Sequence, residues 1–147
     1  MKIVWLCNYS LKYLKEKLNF PIEDESTHPT TWLYYFNLEF QKRNEIDLHI
    51  ILLSSSIPHD TVIVENNVTY HLIKNSVKRY AEHLPLMYFQ RLYHRNESAI
   101  VKNYIRPKVL KTINSIKPDH VTLFGTEGEF GTIINEVNFP KAVWILG

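Results

Sequence analysis

"HVTLFGTEGEFG", His120 to Gly131, holds three of the four glycines in the whole chain. An apolar, β-rich run, Val121 to Phe124, breaks off at Gly125, and Glu127 and Glu129 stand among the glycines. A run this short fits a buried strand better than a helix. A glycine at its end allows a sharp exit, and glycines further on let backbone approach a neighbour or ligand closely. The stretch therefore reads as strand, tight turn and helix start, the helix continuing as "EFGTIINEV" (129–137).

Working outward, the same kind of run recurs as "KIVWLC" (2–7), "DLHIILL" (47–53), "VTYHLI" (68–73) and "AVWIL" (142–146). Such runs, nearly all apolar, suit strands covered on both faces, as in parallel sheets. Helical patterns lie between them. "PTTWLYYFNLEFQKR", from Pro29, puts Trp32, Leu33, Phe36 and Phe40 on one stripe, with Thr30 or Thr31 as a cap. "ESAIVKNYIRPKVLKTINSI" (97–116) points Ile100, Tyr104 and Leu110 inward, with Pro107 marking a kink or restart. Residues 11–28 read as a long loop, and 54–67 as a turn plus an extra strand at 61–64. Alternating strands and helices predict an α/β fold, doubly wound, with a mainly parallel sheet and helices on both faces. In such sheets ligands sit outside the carboxyl ends of the strands, which is where Gly125 falls.

A chain of 147 residues, 45% hydrophobic and 22% charged, is expected to form a single domain, 1–147. Cys7 is the only cysteine, so neither an internal disulfide nor a cysteine-rich zinc site is available. The N-terminal apolar run, Ile3 to Cys7, is too short for a signal peptide or a membrane span, so a cytoplasmic location is expected. The sequons at Asn8, Asn67 and Asn96 are then chance matches. His49, His71 and His120 are dispersed along the chain, and no metal site is expected. Charge is uneven. Lys74 to Lys111 carries nine Lys/Arg against two acids, while the remainder carries eight against thirteen.

"GTEGEFG" is not the dinucleotide fingerprint, which would follow the first strand, and no phosphate-loop pattern occurs. Glu127 and Glu129 fit two roles: a general base or ligands of sugar hydroxyls, or carboxylates favoured by the first turn of a helix. His28, between loop and helix, is either a ligand-facing imidazole or a solvated one. "KRYAEHLPLMYFQRLYHRNE" (78–97) interleaves basic and aromatic residues. Its Lys78, Arg79, Arg91 and Arg95 suit a solvated helix face, an anionic membrane surface, or a phosphate-bearing acceptor. Nucleic acid is not an expected partner, because no binding motif appears and the net charge is only +2.

With "MKIVWLCN" opening the chain, "TTWLYYF" heading a helix after a long loop, "IKPDHVTLFGTE", and "AVWILG" at its close, the sequence resembles the N-terminal domain of family-four glycosyltransferases of the GT-B fold. The resemblance is particularly to the bacterial enzymes of surface-polysaccharide synthesis. The resemblance implies a Rossmann-like domain on the acceptor side of a two-domain cleft. It implies a glycan or lipid-linked sugar acceptor here, and a nucleotide-sugar donor held by a C-terminal domain through paired glutamates. Transfer would retain anomeric configuration and need no metal, with the enzyme peripheral to the inner face of the plasma membrane. Asn8, Tyr9, Ser10, Thr30, Thr31, Gly125, Thr126, Glu127 and Glu129 would then line the cleft. Thr30 and Thr31 stand where relatives often have paired glycines, and Thr122 where many have histidine. This chain ends at Gly147 without the donor domain and is expected to be inactive alone. The alternative is a non-catalytic α/β binding or membrane-adaptor module.

Overall fold

The computed structural model describes residues 1–21, 31–75, 104–126 and 129–145. Six strands form one sheet in the order β3-β4-β2-β1-β5-β6. They are β1 (Lys2–Leu6), β2 (Asp47–Ser54), β3 (Thr61–Glu65), β4 (Val68–Lys74), β5 (His120–Phe124) and β6 (Lys141–Trp144). All neighbours run parallel except the β3–β4 hairpin. The helices are α1 (Thr31–Gln41), α2 (Arg106–Ile116) and α3 (Glu129–Ile133), the last passing into a 3-10 turn at Ile134–Glu136. The protein is thus an α/β fold on a mostly parallel sheet. Among the described residues, no helix is long and apolar enough to cross a membrane.

Successive residues of a strand point to opposite faces, and β1 separates two cores accordingly. Ile3, Trp5 and Cys7 pack with Leu33 of α1 and with Tyr70 and Leu72 of β4. Val4 and Leu6 pack instead with Val109 and Ile113 of α2 and with Phe130 and Ile133 of α3. Each such fully buried aliphatic contributes roughly 1.5–3 kcal/mol. Trp5 anchors the first core: its ring stacks on Phe36 at 5.2 Å and meets the edges of Phe40 and Phe124 at 4.8 and 5.0 Å.

Four expectations need correction. Leu11–Lys17 is a 3-10 helix rather than loop; Leu14 is buried and Tyr13 stacks on Tyr34 of α1 at 4.0 Å. The buried positions of α1 are Leu33 and Asn37, while Trp32 is 38% exposed. A polar residue is tolerated there because the Asn37 amide donates to the hydroxyls of Tyr9 and Tyr70, at 3.1 and 2.6 Å. Tyr104 is exposed, and the inward stripe of α2 is Val109, Ile113 and Ile116 with Leu110 partly buried against the same core; Pro107 stands in the first turn of α2, in keeping with the expected restart. Finally, β6 is not covered on both faces. It is a rim strand whose four residues are all exposed. Ile100 lies outside the described residues.

Two tight connections follow from local chemistry. The β3–β4 turn has Asn66 at φ 54°, a conformation asparagine tolerates well. Asn67 in the same turn donates its amide to the carbonyls of Arg43 and Ile46, pinning the hairpin to the end of α1. At the far rim, the Lys141 ammonium donates to the carbonyls of Ile134, Asn135 and Val137, which ends the 3-10 turn after α3.

Candidate functional site

The chain crosses from β1 outward to β2 and β4, then returns to place β5 on the other side of β1. Strand order therefore reverses between β1 and β5, the point in open α/β sheets outside whose carboxyl ends ligands commonly bind. Asn8 follows β1 and is exposed, while Gly125 and Thr126 follow β5. Gly125 has φ +83°, a conformation that favours glycine, and its N–H donates to the Trp144 carbonyl at 2.9 Å. Gly131 has a different task. A Cβ there would meet the Thr126 carbonyl oxygen at 2.3 Å, so only glycine lets α3 close over the turn. The glycine-rich stretch serves a sharp exit at one position and close backbone approach at another.

That closure brings Glu129 against the end of β4. Asn75, just past β4, is 8% exposed and donates its backbone N–H to the Ser54 carbonyl at 2.8 Å. Its side-chain amide donates to Glu129 Oε1 at 3.0 Å. The Asn75 Oδ1 is buried and has no hydrogen-bond partner among the described residues. Buried carbonyl oxygens are nearly always satisfied, which makes this one an exception among the described residues. Glu129, half-buried at the start of α3, carries a carboxylate that accepts hydrogen bonds, and Thr126, exposed after β5, carries a hydroxyl that can donate or accept.

The remaining residues expected at the site are distributed as follows. Thr31 begins α1 and is half-buried. Tyr9 and Ser10 are 5% and 4% exposed and turn into the protein. Burial, with the neighbouring Tyr70, raises the Tyr9 phenol far above its ordinary range, so it stays protonated. His28, Thr30, Glu127, Lys78, Arg79, Arg91 and Arg95 lie outside the described residues. Cys7, just past β1, is wholly buried, which pushes its thiol well above the ordinary range and leaves it a small hydrophobe rather than a nucleophile.

Asn75 is the residue that sequence reading missed. Its only signal is a polar side chain directly after an apolar strand. One pairing on the sheet was missed as well. His49 of β2 and His71 of β4, dispersed in sequence, meet with Nδ1 and Nε2 3.0 Å apart. Burial lowers both imidazoles, His71 to about 4 with His49 adding to its shift. The pair is a shared hydrogen bond between neutral rings. Among the described residues, no group of three or more His, Cys, Asp or Glu side chains could hold a metal ion.

Comparison of the chain with protein-family models, curated proteins and solved structures gives no match. The class of the protein is accordingly set by its own architecture: an α/β fold on a six-stranded, mostly parallel sheet.

Proposed function

We propose that this chain is a Rossmann-like, doubly wound domain with helices on both faces, and that it forms the acceptor-side half of a retaining GT-B-type glycosyltransferase. Its substrate is a glycan or lipid-linked sugar, and the nucleotide-sugar donor belongs to a second domain. The observation that carries the reading is the hydrogen bond from Asn75, past the end of β4, to Glu129, 54 residues further on in the helix that follows β5. The segregation of alternate β1 residues into two helix-packed cores supports the doubly wound arrangement. The resemblance of "IKPDHVTLFGTE" to the glycosyltransferase motif supports the chemistry. In this role the Glu129 carboxylate accepts hydrogen bonds from sugar hydroxyls and orients the nucleophilic one, while the Asn75 amide holds that carboxylate in place. Thr126 and Asn8 border the ring.

The test is saturation-transfer NMR of the purified chain with methyl glycosides of glucose, galactose and N-acetylglucosamine. Binding is expected in the millimolar range, the regime of a single sugar ring held by few contacts. Glu129→Gln and Asn75→Ala are expected to weaken it about tenfold, the value of one charge-assisted hydrogen bond. Binding that neither substitution alters sinks the assignment. Salt-sensitive binding to anionic vesicles without any glycoside binding selects the membrane-adaptor module instead.

A further inference from the structure

We draw no further inference here: the strongest candidate, the exposed apolar patch at the β6 rim of the sheet where Trp32 and Trp144 flank Phe124, carries nothing because nothing in the structure shows what covers it.

Discussion

Gly131→Ala isolates the close approach on which the packing of α3 against the turn after β5 depends. Alanine in place of glycine within a helix ordinarily stabilises by about 1 kcal/mol. Here the added Cβ would lie 2.3 Å from the Thr126 carbonyl oxygen, whereas ordinary contact begins at 3.4 Å. The obstacle is backbone, so no side chain can rotate away, and α3 or the turn must move by about an ångström. Forced overpacking of this kind costs typically about 1–3 kcal/mol, and more where the neighbour is rigid. The helix gain offsets only part of that, leaving a net loss of about 2 kcal/mol. With a urea m-value of about 2 kcal/mol/M, the unfolding midpoint should drop by about 1 M. Thr132→Ala, on the exposed side of the same helix, should stay within about 0.5 kcal/mol. Because Thr126 and Glu129 flank the displaced turn, glycoside affinity should also fall well below the unfolding transition. A Gly131→Ala variant as stable as the parent, or more stable, refutes the reasoning that glycine is there to let α3 close.

Asn37→Ala removes a fully buried amide and leaves the hydroxyls of Tyr9 and Tyr70 short of a partner. A loss of about 2–3 kcal/mol is expected by urea denaturation, and under about 0.5 kcal/mol would mean that the network is slack. The histidine pair makes stability pH-dependent. Folded His71 takes up its proton only at about 4, against an ordinary 6.5, so between those values the unfolded chain binds more protons. Its contribution is complete above about 6.5 and drains away as pH falls towards about 4. After allowance for partial solvent exposure this amounts to about 1–2 kcal/mol. His71→Gln should flatten that limb of the urea-midpoint profile, and identical profiles for parent and variant would count against the pairing. Cys7, buried with a raised thiol pKa, should react with Ellman's reagent at the rate of unfolding. Rapid labelling in the absence of denaturant would show that the first core is open.

The central strands were legible because their burial is two-sided. β1, β2, β4 and β5 are short runs that are mostly apolar, broken only by residues such as His49, Thr69, His71 and Thr122, and their length and β-rich composition argue for strands. Gly125 was legible too, since a strand that halts at glycine in a glycine-poor chain announces a turn. What could not be read depends on partners distant in sequence. Leu11–Lys17 has only one buried leucine, too little periodicity for a helix assignment without Tyr34 to lean on. Asn37 looks like a misplaced polar residue until β1 and β4 bring two phenols to it. His49 and His71 are unrelated until parallel pairing sets β2 beside β4. Likewise Asn75 acquires significance only when α3 folds back across the sheet. The exposure of β6 was hidden because an apolar rim strand and an apolar central strand are written with the same residues.

The place of β1 also sets a timetable. Lys2 bonds through its backbone to Asp119, a partner 117 residues further along. During synthesis at roughly 5–20 residues per second, β1 waits on the order of ten seconds before β5 leaves the ribosome. Through that interval Val4 and Leu6, which pack against α2 and α3, have no second core to enter. The nascent chain thus carries half a sheet, finished on the side of α1 and bare on the other. Any chaperone that attends its birth should be needed for that face, and only until residues around 137 have emerged.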